Sequence, residues 1–312
     1  MGEQAQHGGV QTWNTKAYAI AAIPGDGIGT EVVAAGVEVL NAVAQRDGGF
    51  RIKIDHFDWG GEYYKKHGRM MPDDGRDQIR NYDAILFGSA GHPEIPDHIT
   101  LWGLRLAICQ PFDQYANVRP TRVLPGITSP LRNVKDKELD WVIVRENSEG
   151  EYAGVGGRVH QGSPLEVATD VAMFTRAGVE RIMRFAFRIA QSRPRKLLTV
   201  VTKSNAQRHA MVMWDEIAAE IAREFPDVTA DKMLVDAMTM RMVMRPQTLD
   251  TIVRQICTPT FCPPWPARSA SRRPAISIRS GSTRRCSNRS TAPRSTSWAR
   301  AWPTRSAPSG HR

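Results

Sequence analysis

The chain has 312 residues and a formal charge of +10, and that charge is unevenly spread. Arg254–Arg312 holds twelve arginines, no lysine and no acid, so it carries +12 and leaves −2 for Met1–Val253. The near-neutral part gives no reason to expect a nucleic-acid partner, and the basic part, without aromatic interleaving, offers polyanions only non-specific attraction. No apolar run approaches membrane-spanning length and the start MGEQAQHGG lacks an apolar core, so no membrane partner is expected and the chain reads as cytoplasmic. Cys109 is the lone cysteine of the patterned part, which excludes a disulfide framework there. Cys257 and Cys262 lack a paired CxxC or a neighbouring acid, which argues against a zinc site.

In chain order, Ala17–Pro24 (AYAIAAIP) is a short buried strand closed by the glycine turn IPGDGIG. Thr30–Gln45 follows as a helix with Val33, Val37, Leu40 and Val43 on one stripe. Arg51–Trp59 alternates as a strand, Pro72–Asn81 is a short helix, and Asp83–Gly88 (DAILFG) is a second buried strand running into GSAGHPE. That order argues for a parallel sheet with helices against it. Trp141–Glu146 is again strand-like, and Glu151–Glu166 is a hairpin or arm. Phe174–Ser192 is an amphipathic helix whose Arg181, Arg184 and Arg188 make a wet face. A strand at Lys196–Thr202, a helix at Ala206–Arg223, a strand at Lys232–Val235 and a Met-rich helix at Met238–Val253 complete the pattern.

Beyond Val253 the pattern stops. Arg, Ser, Pro and Thr dominate, no period persists, and such a segment buries too little apolar surface to offset its ordering entropy, so disorder is expected. This composition is also what a GC-rich gene yields out of frame. Moving the frame of Ile256–Arg312 by one base, with permissive codons, allows a long sensible sequence that includes HADILSA and HGSAFDIMGKGLANP. A single-base frameshift near codon 254 is therefore expected, and resequencing the gene there tests it.

Between these limits lie groups that carry chemistry. Arg105, Arg119 and Arg145 can form a fork for a small dicarboxylate, because planar guanidinium groups pair with carboxylates in bidentate fashion. Arg145 ends a buried strand and must be paired, either by substrate or structurally by Glu146. Tyr152 and Lys203 can move protons, or can be a packed ring and a strand-closing lysine. Asp236 can ligate a divalent metal or cap the following helix. IPGDGIG is not the dinucleotide fingerprint, since its glycines fall at 25, 27 and 29 and no acid ends a following strand. Gly88–Glu94 sits at the carboxyl end of a strand, where open α/β sheets bind ligands.

Taken in order, IPGDGIG, GSAGHP, YANVRP, RENSEGEYAG, TKSN and VDAM resemble the β-decarboxylating dehydrogenases, the isocitrate/isopropylmalate dehydrogenase family. The long spacing from Arg105 to Arg119 is most similar to its tartrate/D-malate branch. The resemblance implies an α/β, isopropylmalate-dehydrogenase-like two-lobe fold. Residues 1–104 would begin the large lobe, 105–253 would form the second lobe, and 254–312 an aberrant tail that leaves the first lobe incomplete. It implies NAD- and metal-dependent oxidation and decarboxylation of a small 2-hydroxy diacid by a homodimer. Arg105, Arg119 and Arg145 would hold the substrate, Lys203 and Tyr152 would take and give protons, and Asp236 would ligate Mg²⁺ or Mn²⁺, with K⁺ as an accessory ion. Ser89, Gly91, His92, Pro93 and Glu94 would lie beside the nicotinamide. The family's later metal segment and adenosine loop are missing as translated, which predicts impaired activity. The rival reading is a non-catalytic dimerising remnant with a polyanion-binding tail.

Overall fold

The computed structural model describes residues 16–126, 129, 131 and 139–256, and the backbone of a strand at 276–278. It divides into two compact units, Met1–Ile108 and Cys109–Arg312.

Unit 1 is built on a three-stranded parallel sheet with β1 (Lys16–Gly25) between β2 (Phe50–His56) and β3 (Ala84–Ser89). Ile20–Ile23 are buried because β1 is flanked on both edges, as the apolar run requires. Helix α1 (Gly29–Asp47) crosses from β1 to β2 and packs on all three strands. Of its expected stripe Val33 is fully buried, Val37 and Leu40 are partly so, and Val43 is exposed. The region between β2 and β3 contains α2 (Gly61–His67), which was not foreseen, and α3 (Gly75–Ile79), shorter than the expected helix. A turn, α4 (Asp97–Thr100), runs into a π-helical segment at Leu101–Leu106 and then α5 (Ala107–Cys109).

Unit 2 is a mixed sheet. From one edge it runs β11 (Ile276–Ile278), β4 (Ala116–Arg122), β5 (Asp140–Glu146), β10 (Thr251–Arg254), β8 (Leu197–Thr202) and β9 (Thr229–Leu234). Strands β5, β10, β8 and β9 are parallel, whereas β4 is antiparallel to β5 and β11 to β4. A separate antiparallel pair, β6 (Gly150–Val159) and β7 (Val167–Met173), forms the expected arm. Helices α6 (Arg176–Ser192) and α7 (Ala210–Ala222) bury Val179, Ile182, Phe187, Trp214 and Ile217 against Val142, Val144, Val200 and Val253 on one sheet face. Helix α8 (Val235–Met244) covers the other with Val235, Met238 and Met242 on Ile143, Val201 and Ile252. Each fully buried aliphatic or aromatic side chain contributes about 1.5–3 kcal/mol.

Three expectations are corrected. The helix foreseen over Met238–Val253 ends at Met244, because Pro246 drives Arg245 out of helical geometry. After a 3₁₀ turn at Pro246–Thr248, Thr251–Ile252–Val253 forms β10, a β-branched run buried between two strands. Arg181 is not part of a wet face: its guanidinium donates to Asp113 (2.7 Å) and Ser148 (2.9 Å) and lies over the Tyr115 ring (4.7 Å). The strand β4 was read only as a motif, because Asn117, Arg119 and Pro120 mask its alternation. The disorder expected from Arg254 onward does not hold at its start, where Arg254 closes β10 and Gln255 and Ile256 are buried; apart from these and strand 276–278, that expectation concerns residues outside those described.

Candidate active site

In unit 2 the alternation of strands sorts the side chains. Trp141 and Ile143 belong to the α8-side core and Val142 and Val144 to the other, so Arg145 points to the α8 side and Glu146 away. Asn117 is register partner to Arg145 and Arg119 to Ile143, which puts Asn117 and Arg119 on that same face. Arg119 and Arg145 are thus diagonal neighbours on adjacent strands, about 7–8 Å apart in ordinary sheet geometry. Long side chains at that spacing reach one small dianion.

Arg145 is buried and Arg119 exposed. Nη2 of Arg145 donates to Asn147 Oδ1 (2.7 Å), and Asn147 Nδ2 donates to the Gln114 carbonyl (2.9 Å). Arg119 Nε donates to Asn117 Oδ1 (2.9 Å). The Arg145 guanidinium carbon lies 5.8 Å from the centre of the Tyr152 ring, within cation–π range. Tyr152 is fixed by its carbonyl, which accepts from Gln110 Nε2 at 2.5 Å.

The structural alternative for Arg145, pairing with Glu146, is not adopted. The Glu146 carboxylate faces the opposite side and accepts from Ser148 N (3.1 Å), Ser148 Oγ (2.9 Å) and Glu149 N (2.8 Å). Its pKa is raised by burial, only partly offset by those backbone donors. Glu149 in turn accepts from Thr175 N (3.0 Å) and Oγ1 (2.6 Å) at the start of α6. The RENSEGE segment is therefore pinned to α6 from both sides of the bend.

Lys203 follows the end of β8, and its ammonium pairs with Asp236 in the first turn of α8. Asp236 is not a cap: the capping position falls on Leu234, and the Asp236 carboxylate turns outward to Lys203. Because α8 packs on the same face that carries Arg119 and Arg145, all four charged side chains belong to one side of the sheet. Among the described residues no three His, Cys, Asp or Glu side chains gather as a metal site. A hard divalent cation takes about six oxygen ligands. One carboxylate already paired to an ammonium does not fit that need.

In unit 1 the buried Asp26 ties three loops. Its Oδ1 accepts from Gly61 N (2.5 Å), its Oδ2 from Gly91 N (2.9 Å), and its carbonyl from Gly29 N (3.0 Å) and from Ser89 Oγ. Gly25 has φ +66°, and a Cβ there would meet the Ser89 carbonyl oxygen at 2.0 Å. IPGDGIG thus serves as a brace for the Ser89–Glu94 loop. That loop leaves the carboxyl end of β3 with Gly91 open: a Cβ built on it meets nothing within 4 Å, so a flat ring can approach its backbone. Nδ1 of His92 accepts from Glu94 N (3.2 Å), so the neutral ring carries its proton on Nε2, facing Glu62 (3.2 Å). Lys65 bridges Glu62 and Glu94, raising its own pKa and lowering both of theirs. Pro93 is exposed in the same loop, and Arg105 is half-buried on the π-helical segment, a geometry frequent at functional sites.

Asn117, Asn147 and Gln110 escaped sequence reasoning. A period-2 reading of YANVRP would have put Asn117 beside Arg119, and Asn147 stands two residues from Arg145 within a motif already singled out.

Unit 2 is thus a three-layered α/β unit with a parallel core, helices α6 and α7 on one face and α8 on the other. Residues 19–256 match the isocitrate/isopropylmalate dehydrogenase family, and the chain belongs to that family. Over 236 residues it is 72% identical to a probable tartrate dehydrogenase/decarboxylase of Agrobacterium vitis, covering 76% of this chain and 66% of that protein. It is 48% identical over 240 residues to the decarboxylating D-malate dehydrogenase of Escherichia coli, with the same coverage of 76% and 66%. Among solved structures, isocitrate dehydrogenase of Methylococcus capsulatus superposes with a TM-score of 0.67 at 34% identity, covering 76% of this chain and 66% of that one. The matched part of this chain thus spans just under two thirds of the curated relatives. The α/β, isopropylmalate-dehydrogenase-like fold expected from the motifs is what the chain adopts. Among the described residues no helix is long and apolar enough to cross a membrane.

Proposed function

We propose that the chain binds a small 2-hydroxy diacid of the tartrate or D-malate class and oxidises and decarboxylates it with NAD, at a rate well below that of its relatives. The observation that carries this reading is the grouping of Arg119, Arg145 and Tyr152 on the sheet face that also holds Lys203 and Asp236. Arg119 and Arg145 hold the carboxylates in bidentate fashion; the role of Arg105, which belongs to unit 1, rests on the family resemblance alone. Lys203 accepts the C2 hydroxyl proton as its neutral amine, becoming the ammonium that Asp236 pairs with. Tyr152, whose ring lies beside the Arg145 guanidinium, returns a proton to the carbon that loses CO₂.

NAD supplies the hydride acceptor when bound, and Ser89, Gly91, His92, Pro93 and Glu94 would hold its nicotinamide end. Family enzymes generally use NAD with a divalent metal such as Mg²⁺ or Mn²⁺. Among the described residues no group of three His, Cys, Asp or Glu side chains gathers to hold it. That shortfall and the acid-free composition of Arg254–Arg312 are the grounds for proposing impairment. The homodimer and the cytoplasmic location are proposed on the same family footing, and the similarity to decarboxylating dehydrogenases favours the enzyme reading over the polyanion-binding remnant.

The test is NADH formation from tartrate and from D-malate with Mn²⁺ and K⁺, beside a chain whose frame is restored at codon 254. The restored chain is expected to turn over at ordinary dehydrogenase rates, and the present chain at least about a hundredfold more slowly, the scale of a lost electrostatic group. Equal rates would overturn the impairment; no activity in either would overturn the assignment.

A further inference from the structure

Arg181 takes no part in the chemistry described so far, yet it joins the two segments that hold Arg145 and Tyr152 in place. Its neighbours on α6 pair with glutamates, Arg176 with Glu180 and Glu220, and Arg184 with Glu180 and Glu224. Arg181 instead reaches back to Asp113 and Ser148, sixty-eight and thirty-three residues away. Nη1 donates to Asp113 Oδ1 (2.7 Å), Nη2 donates to Ser148 Oγ (2.9 Å), and the guanidinium carbon lies 4.7 Å from the centre of the Tyr115 ring. A planar fork laid on a ring has a fixed direction, which an ammonium in the same place would lack.

Each segment that it holds supports a group of the candidate site. The first is the turn before β4, where Asp113 N donates to the Gln110 carbonyl and Gln114 N to the Cys109 carbonyl, both at 2.9 Å. Asp113 has φ +48°, an uncommon conformation outside glycine that persists only when its surroundings fix it. From this turn Gln110 Nε2 donates to the Tyr152 carbonyl (2.5 Å), and the Gln114 carbonyl accepts from Asn147, on which Arg145 rests. The second segment is the bend after β5. There Ser148 Oγ accepts from Arg181 and donates to Glu146 Oε1 (2.9 Å), so the residues on either side of Asn147 are tied down together.

We propose that Arg181 is a positioning residue for the site: by clamping the 110–114 turn to the 146–149 bend it sets the aim of Arg145 and the place of Tyr152. The inference rests on the reading of Arg145 and Tyr152 as site residues, and adds to it a group from α6, which packs on the sheet face away from Arg145. Arg181 governs affinity without touching the substrate.

Arg181→Met tests this in the full chain labelled with fluorotyrosine, beside Arg184→Met as a control of the same size on the same helix. Tartrate binding is followed by titration calorimetry with Mn²⁺ present. Arg181→Met should raise the tartrate Kd about fivefold or more and shift or broaden the fluorine NMR signal of Tyr152, assigned by its loss in Tyr152→Phe. Arg184→Met, which loses surface ion pairs alone, should move neither. A Kd within about twofold of wild type, a Tyr152 signal that stays in place, or an equal effect from Arg184→Met overturns the inference while leaving Arg145 in its role. Unchanged binding by Arg145→Gln, or no binding by the wild type, overturns the underlying reading instead. Should far-UV circular dichroism show Arg181→Met unfolded, Arg181→Lys decides. Its ammonium keeps the charge but does not span Asp113 and Ser148 together, so a wild-type Kd and an unmoved Tyr152 signal then count against the proposal.

Discussion

A buried guanidinium cannot shed its proton, so what matters at Arg145 is how its neighbours aim it. Asn147 fixes one arm and is itself fixed by the Gln114 carbonyl, a chain of two hydrogen bonds that leaves the rest of the fork oriented. Asn147→Ala should therefore raise the tartrate Kd about five- to tenfold and also cost about 1–3 kcal/mol of stability, since buried groups lose a partner, checked by calorimetry beside a thermal scan. Glu146 illustrates the opposite economy, a carboxyl whose burial lifts its pKa above the ordinary 4.5. A raised folded-state pKa means that the folded chain holds the proton longer than the unfolded one. Stability from this group is complete below about pH 4.5 and is lost as pH rises through the folded value. Urea midpoints of wild type and Glu146→Gln should accordingly converge or reverse in order as pH rises from 4 to 7, and parallel curves would show that Glu146 does not titrate in this range. The sequence told that Arg145 needed a partner; it did not tell which, because Glu146 and Asn147 differ only in the face to which the strand turns them.

At the scale of elements, loops are made rigid by small local devices. The Asp26 carboxylate gathers donors from the turns that carry Gly61 and Gly91, joining segments thirty-five and sixty-five residues away. Asp26→Ala should destabilise the chain by about 3 kcal/mol, the scale of charge-assisted hydrogen bonds left without their acceptor. It should also speed hydrogen exchange at Gly61 and Gly91, and protection unchanged at both amides would show that the brace is dispensable. The glycine turn IPGDGIG, which is not the dinucleotide fingerprint, is thus explained by packing against Ser89, which its spacing alone could not reveal. Strand β10 carries a similar lesson. Methionines at helical spacing drew the helix reading onward to Val253, but Pro246 and the β-branched Thr251–Val253 mark the true change of element.

For the whole molecule, the arm raises the question of what covers it. Val159 faces Val167 and Val155 faces Val171 across β6 and β7, and all four are exposed, as are Leu165 and Met173. Cross-strand apolar pairs open to water are costly, which supports the proposed homodimer. Val159→Glu with Val167→Glu should shift the chain to monomer in sedimentation velocity, whereas an unchanged sedimentation coefficient would place the arm outside any interface.

Read alone, the sequence determined the family and the parallel core, and it singled out Arg119, Arg145, Tyr152, Lys203 and Asp236 as candidate site residues. Ordered motifs and hydrophobic period are local properties, and they survive without coordinates. Which groups share a face was decided only by tertiary structure. Register between β4 and β5 set Asn117, Arg119 and Arg145 on one side, and α8 brought Asp236 to Lys203. Strand pairing is a contact between segments distant in sequence, and a shift of one residue would have sent each of those side chains to the opposite face.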